Sequence, residues 1–445
     1  MRSHPHVILS WGLGTESSAI LARWCLSWIL QHKLPAQGLF AHPLTKLARF
    51  AVDPGFQPEH LTVITAQLGS EHDDTTEHCE RWLFPLLRLL KIRFLEVAKA
   101  GPTLGDGVIV LQDTTNPIQL HQGGAYRLFD ELKTAGVLPS FAGDHLCALK
   151  HKAAVIEEII AYLCDRERAK PERIHRIIGY NRDETTRIQK SEAAFASHNQ
   201  TRKPQYYRLT FGYNAEEERR IAKAKLYDVA YREGHYPLQA SQWNWSRQDC
   251  VTFLEETFGV TWQRSCCVFC PFAKPDEERI ARLRRYPQAV AETLILEHGA
   301  LCMNPRGTLY RNESFWEMLD RNGISDGIAE YKQIIAAAPQ ALFRVRRIYS
   351  TKGKADRCTE HLATGSQEAM KRALEYLANQ IKAEWKEARG VRYLYETTRD
   401  EKIYPTRECF YVVAPAWIAA KTRHGLASFN QRWEAIDRAQ LKMFV

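Results

Sequence analysis

The sequence predicts an α/β chain: a doubly wound, mostly parallel sheet, then a helical segment carrying cysteines, then a small C-terminal α+β domain. Three observations lead there. From residue 7 to about 180, short β-branched runs alternate with stretches of helical periodicity, the pattern of parallel strands covered on both faces. The first of those runs ends in a two-glycine loop that opens a helix. From about residue 340 the period becomes that of half-exposed strands.

Taken in order, Val7–Ser10 is a short buried strand. Ser17–Gln31 is a helix, with Ile20, Leu21, Trp24, Leu26 and Trp28 apolar at helical spacing. Leu61–Ala66 is a β-branched strand, Thr76–Leu90 a helix and Arg93–Val97 another strand. Lys152–Leu163 reads as helix and Arg176–Gly179 as a further strand. In such sheets ligands bind beyond the carboxyl ends of the strands. Residues 181 to 235 are polar and charged, and contain an internal echo. Gly179-Tyr180-Asn181 is followed by Glu184 and Arg187; Gly212-Tyr213-Asn214 is followed by Glu217 and Arg220 in the same register. Two copies are too few for a repeat architecture. Residues 236 to 335 are mainly helical. Phe343–Ile348 alternates apolar and basic residues, Gln367–Ala388 reads as one long helix, and Val391–Tyr395 and Phe410–Val413 read as strands. The expected division is 1–235, 236–338 and 339–445.

With 445 residues, 25% charged and 45% hydrophobic, the composition is that of a globular protein large enough to fold without staples. No segment reaches the ~18 uninterrupted apolar residues of a membrane span. Met1–His6 lacks the apolar core and cleavage site of a secretory leader. A cytoplasmic location without membrane association is expected, with reduced thiols for most of the eleven cysteines. The net charge of +9 is compatible with a polyanionic partner without requiring one.

The loop after the first strand is Trp11-Gly12-Leu13-Gly14-Thr15-Glu16-Ser17-Ser18. Glycines let a backbone approach a ligand closely. The first N–H groups of a helix are unpaired and carry the positive end of its dipole. With the hydroxyls of Ser17 and Ser18 these make an anion site. The plain alternative is a strand–turn–helix junction capped by Ser17 or Thr15. The dinucleotide fingerprint does not fit, since Ser17 holds the third glycine position, and no Gly-Lys-Ser follows as in a Walker loop.

The loop resembles the pyrophosphate loop of the PP-loop ATPases, Ser-Gly-Gly-x-Asp-Ser. Gly14 and Ser17 match, Leu13 stands in place of Gly and Glu16 in place of Asp. Gln67-Leu68-Gly69-Ser70-Glu71-His72-Asp73-Asp74-Thr75 resembles the Asp-Thr-Gly-x-x-x-x-x-Thr segment of the phosphoadenosine-phosphosulfate (PAPS) reductase family, with Gln67 in place of the acid. Cys147-Ala148-Leu149-Lys150 is similar to that family's Cys-x-x-(Arg/Lys), and Pro237-Leu238 with Trp243 and Trp245 to its Pro-Leu-x-x-Trp. The four stretches stand in family order over roughly residues 7 to 275. The resemblance implies an adenine-nucleotide α-hydrolase-like, Rossmann-like fold that binds ATP or PAPS with Mg2+. Its nucleotide contacts would come from Ser10, Gly12, Gly14, Thr15, Ser17 and Ser18, and from Gly69 and Gly179. Glu16, Ser17 and Lys150 become the catalytic candidates. Glu184 with Arg187, and Glu217 with Arg220, both resemble the family's Gly-x-x-x-x-Glu-x-x-Arg near the nucleotide. The alternative for either pair is a surface i,i+3 salt bridge, and the residues do not choose between the copies. Glu71, His72, Asp73 and Asp74 either hold Mg2+ or form a solvated first helical turn.

Ser265-Cys266-Cys267-Val268-Phe269-Cys270-Pro271 is the densest group of thiols. Cys267 and Cys270 form a C-x-x-C, a spacing that lets two thiolates face one metal. The family resemblance adds Cys147, as in members that carry a four-iron four-sulfur (4Fe-4S) cluster. Cys266, Cys250 or a non-protein sulfur is the fourth ligand. Zinc and a metal-free turn with buried thiols are the other readings. Arg344, Arg346, Arg347, Lys352, Lys354 and Arg357, with Tyr349 among them, either track a nucleic-acid backbone or form a solvated strand face.

Three functions follow as expectations. The first is ATP-dependent adenylylation with pyrophosphate release, coupled to sulfur transfer or modification of DNA or tRNA, with a sulfur-donor protein as partner. The second is reduction of a sulfonucleotide with release of sulfite. Family reductases carry the nucleophile in Glu-Cys-Gly-x-His, whereas Glu408-Cys409 here is followed by Phe410-Tyr411. The third is a non-catalytic nucleotide- or nucleic-acid-binding module.

Overall fold

The computed structural model describes residues 6–124, 126–140, 146–166, 173–201, 205–211, 219–226, 230–351, 354–422 and 425–441. The chain forms two compact units, residues 1–128 with 144–267, and residues 129–143 with 268–445. The boundary thus falls after Cys267, not near residues 235 and 338. The helix Arg247–Phe258 stays with the first unit because Cys250, Phe253, Leu254 and Phe258 bury into that unit's core. The helices from Glu277 to Ala337 go with the C-terminal sheet.

The first unit is built on β1 (His6–Ser10), β2 (Leu61–Gln67), β3 (Arg93–Lys99), β4 (Val108–Thr114), β5 (Arg173–Ile178), β6 (Gln205–Phe211), β7 (Arg219–Leu226) and β8 (Tyr231–His235). They lie in the order β7-β6-β4-β3-β2-β1-β5-β8. The strands from β3 to β8 in that order are all parallel neighbours, while β4 runs antiparallel to β3 and β7 antiparallel to β6. The sheet is therefore mixed and mostly parallel, inside an α/β architecture, as the alternation of runs predicts. α1 (Thr15–Gln31) follows β1 and is apolar on nearly every side, because it lies between the sheet and Arg247–Phe258. Trp11, Trp28, Phe84, Phe94 and Trp262 fill this layer. On the opposite face Ile156, Ile159, Ile160 and Leu163 of the helix Ala154–Arg166 meet Ile8, Ile64, Leu95 and Val97.

Among the described residues no helix is long and apolar enough to cross a membrane.

The second unit carries β9 (Gln340–Thr351), β10 (Lys354–Gly365), β11 (Glu384–Ala388), β12 (Val391–Thr397), β13 (Thr406–Pro415) and β14 (Lys421–Thr422), all antiparallel, in the order β11-β12-β13-β9-β10-β14. The expected long helix ends at Gln380, and Glu384–Ala388 is a strand. The reason is local. Arg389 and Gly390 both take left-handed backbone (φ +48° and +77°), and Ala388 pairs with Val391. Two such residues make the tight hairpin whose twist matches its strands. β9 is not half-exposed either. Phe343 and Val345 face Leu301 and Met303 on one side, and Leu342 faces Met370 and Leu374 on the other.

Candidate functional site

The phosphate loop joins β1 to α1 at the carboxyl edge of the first sheet. β1 lies between β2 and β5, where the strand order reverses, and that crevice is the ordinary ligand position of such sheets. The loop is fixed from several sides. Its Trp11 indole N–H donates to Ser18 Oγ at 3.0 Å. The Thr15 hydroxyl donates to the carbonyls of Trp262 and Gln263 at 3.2 and 3.3 Å. The Trp262 indole donates to the Leu13 carbonyl at 3.3 Å. Leu13 itself takes left-handed backbone, φ +60°. That conformation favours glycine, which accounts for the Gly at this place in the loop it resembles.

Gly14 is the N-cap of α1, and no side chain caps it. The N–H groups of Thr15, Glu16 and Ser17 therefore begin the helix without an intrahelical acceptor. The structure corrects the rest of the expected cradle. Gly12 N–H is not open, because it donates to Ser17 Oγ at 3.2 Å. Ser18 Oγ is wholly buried on Trp11, and Ser10 Oγ accepts from Arg176 Nη2 at 2.9 Å. The hydroxyls hold the loop together, and the groups that no side chain caps are the main-chain amides of the first turn. Gly179, just past β5, packs on that first turn: a Cβ there would lie 2.8 Å from Ser17 N. Only glycine fits so close an approach. Glu16 is met by Asn181 Nδ2 at 3.4 Å and Arg247 at 3.8 Å.

Three separate motifs converge beside the loop. A Cβ on Gly14 would stand 3.3 Å from Ser265 Cβ. The Ser265 hydroxyl donates to Glu71 Oε2 at 2.9 Å, and Lys152 Nζ donates to Glu71 Oε1 at 3.1 Å. Glu71 also bridges Cys267 through the backbone. Burial opposes the Lys152 charge, but Glu71 and the Cys267 and Cys266 thiols raise its pKa overall. Gly69 has φ +80°, and the Arg127 side chain covers it so closely that a Cβ would clash at 2.5 Å. Lys150 points to solvent, and it is Lys152 that reaches this cluster.

Gln67, at the end of β2, donates to a carboxylate on the neighbouring strand β3. Glu96 is fully buried and accepts from Gln67 at 2.8 Å, from Gln112 at 2.5 Å and from the His121 amide at 2.9 Å. His121 Nδ1 lies 2.6 Å from the same carboxylate, which raises the histidine pKa against the opposing pull of burial.

The other expectations are placed as follows. Glu184 and Arg187 pair with each other, Glu184 accepts from Asn181 N at 3.1 Å, and Arg187 lies 4.5 Å over the Tyr180 ring. That is the surface i,i+3 arrangement. Gly212-Tyr213-Asn214 and Glu217 lie outside the described residues, and Arg220 falls on β7 with its side chain outside them. Cys250 is wholly buried in the apolar core, its thiol pushed up first by burial, and its electrostatic neighbours are Glu16, Asp249, Arg247 and Arg23. It is a packing residue, not a neighbour of the cysteine run. Cys147, Cys266 and Cys267 are partly exposed in the first unit, and Cys270 belongs to the second. The Pro237-Leu238 stretch supports α1: Leu238 is buried, and Arg23 of α1 lies 4.1 and 4.5 Å over Trp243 and Trp245.

The basic run is not a solvated face. Arg344 pairs with Glu396 at 3.2 Å and Arg346 with Glu360 at 2.7 Å. Arg347 pairs with Glu408 at 3.3 Å, and Arg357 donates to the Gly136 and Ala135 carbonyls. Lys352 lies outside the described residues, as does the Lys354 side chain. Cys409 is buried in β13, hydrogen-bonded to Glu396 at 3.2 Å, with its thiol pushed up to about 12 first by burial and then by Glu396. Such a thiol is a poor nucleophile.

Sequence reasoning missed Lys152, Arg127, Arg176 and Glu96. Only Glu96 left a signal, a lone acid inside the apolar run Phe94-Leu95-Glu96-Val97. Comparison with known protein families, with curated proteins and with solved structures finds no match for the chain.

Proposed function

We propose that the first unit holds the anionic tail of an adenine nucleotide on the amides from Gly14 to Ser17 and uses ATP to adenylylate a substrate oxygen. The observation that carries this reading is the uncapped first turn of α1 at the β1/β5 reversal point. The convergence of Gly14, Ser265, Glu71 and Lys152 supports it, because it brings the loop and the Gln67–Thr75 stretch, two of the four stretches that resemble the family, beside one lysine.

In the reaction the substrate oxygen attacks the α-phosphorus and the bond to pyrophosphate breaks. The α1 amides and dipole meet the charge on the leaving pyrophosphate. Lys152, oriented by Glu71, adds a positive charge from the helical turn Leu149–Ala153. Mg2+, which supplies phosphate charge neutralisation when bound, would be held by Asp73 and Asp74. A sulfur or nitrogen nucleophile then displaces AMP, in sulfur transfer or in nucleic-acid modification. PAPS is the other nucleotide that this cradle admits.

Among the described residues no three of the candidate thiols are already gathered as a zinc site. A 4Fe-4S cluster is a separate proposal. Visible colour and iron in protein purified without oxygen support it, and colourless, iron-free protein ends it.

The test of the main reading is incubation with ATP or PAPS, with pyrophosphate and sulfite both measured. Pyrophosphate from ATP is expected. Sulfite from PAPS transfers the assignment to the reductase class, and absence of binding to either nucleotide overturns the site.

A further inference from the structure

Away from the phosphate loop, β5 and β8 bring three ligand-bearing side chains to one side of the sheet. His175 and Glu233 stand opposite each other in the parallel register, and His235 follows Glu233 by two residues, hence on the same face. His175 Nδ1 lies 2.8 Å from His235 Nε2. The Glu233 carboxylate lies 3.9 Å from the first ring and 3.6 Å from the second. Among the described residues this is the group of three whose ligand atoms lie mutually within 4.8 Å.

The distances match a known chemistry. Tetrahedral zinc, with bonds of ~2.0–2.1 Å, sets its ligand atoms roughly 3.3 Å apart. The three separations straddle that value. Two imidazoles and one carboxylate are a common donor set for zinc and for neighbouring transition ions. The protonation states suit it as well. Two ring nitrogens in contact need one bare lone pair, so the pair does not carry two facing protons. The groups that face the cluster are Arg173, which donates to Glu233 Oε2 at 2.8 Å, and Glu192 of the helix Thr185–Thr201, whose charge acts on His235. Among the described residues, Arg173 and Glu192 are the charged groups whose effect on the three donors is seen. All three side chains are partly exposed, which leaves a coordination position for water and an entry path.

We propose that His175, Glu233 and His235 form a binding site for one divalent transition-metal ion of the zinc class, clasping edge strand β8 to β5. The site is independent of the nucleotide reading, since none of its residues belongs to the phosphate loop or to the Glu71 cluster.

Co2+ is the probe, added to the full chain under reducing conditions and followed by absorbance. Cobalt on imidazole and carboxylate shows visible ligand-field bands, whereas cobalt on thiolate adds an intense near-ultraviolet charge-transfer band, so binding at the cysteines is seen separately. One equivalent without the thiolate band is expected, and it disappears in His175→Gln and in His235→Gln. Unchanged stoichiometry and spectrum in both variants, or binding that shows only the thiolate band, overturns the site. Arg173→Ala is the second arm. It leaves the three ligands in place and removes the competing cation, so Co2+ affinity should rise roughly two- to five-fold, the size of an exposed charge pair. Unchanged or weaker binding there overturns the site as well.

Discussion

The two sheets handle polar groups in opposite ways. In the parallel sheet β1 and β2 are largely apolar along their middles, and the close-packed glycines Gly14, Gly69 and Gly179 lie past the carboxyl ends of β1, β2 and β5. In the antiparallel sheet the charges sit inside the strands. Arg347 faces Glu408 directly across the β9–β13 ladder, and Glu408 also accepts from Arg306 at 3.1 Å and from the Tyr349 hydroxyl at 2.9 Å. A carboxylate there is surrounded by its own partners and serves the fold. At the start of α1, by contrast, no side chain caps the first turn. The same residue types thus read as structure or as site according to whether the chain itself completes them.

This contrast yields four measurements. The largest effect is expected at Glu408→Gln, which leaves Arg347 without its charge partner in a buried setting. Denaturant titration should show a loss of about 3–5 kcal/mol, with ATP affinity unchanged. A loss below about 1 kcal/mol, the range of exposed pairs, would break the contrast. Next is acid. His298, in the helix Pro287–Met303, is held down to about 4 by burial. Its folded form resists a proton that the unfolded chain accepts, so its contribution is complete above about pH 6.5 and drains away as pH falls toward 4, by about 3 kcal/mol in all. Hydrogen exchange in the second unit should accelerate over that window and should lose the dependence in His298→Gln. Third, Gly179→Ala forces a methyl against Ser17 N and should cost about 1–3 kcal/mol. Unlike the Glu408 change, it should also abolish nucleotide binding, read by calorimetry. The smallest effect is at His121, whose pKa is raised by Glu96. Its stabilisation is present at low pH and is lost as pH rises through the raised value, the reverse of His298. His121→Gln should flatten the first unit's exchange rates across neutral pH and leave the second unit's untouched.

The strands β1 to β3 were legible because each is a largely apolar run, and α1 because it is apolar on nearly every side. The helix Thr185–Thr201 was not, since none of its side chains is buried and it shows no stripe. β11 was hidden by good helix formers, and only the Arg389-Gly390 turn betrays it. The loop between β1 and α1 was legible as a strand–turn–helix junction from its glycines, yet the roles of its hydroxyls were not. Gly12 and Ser17 satisfy each other, a pairing that depends on the Leu13 bend. Lys152 and Arg127 escaped notice for a different reason. Glu71 meets Lys152 from across 81 positions of chain, and no local pattern encodes such a meeting.

Leu13 makes the loop's sharpest bend with a side chain that dislikes bending that way, at roughly 1–2 kcal/mol of intrinsic strain. The leucine is almost fully buried, and that burial holds the bend in place. A glycine there would turn without strain but would also wander among many shapes when the cradle is empty. The loop is therefore preset, and under the proposed nucleotide reading less ordering entropy would be surrendered on binding. Leu13→Gly should leave the captured geometry intact while slowing the encounter that leads to it.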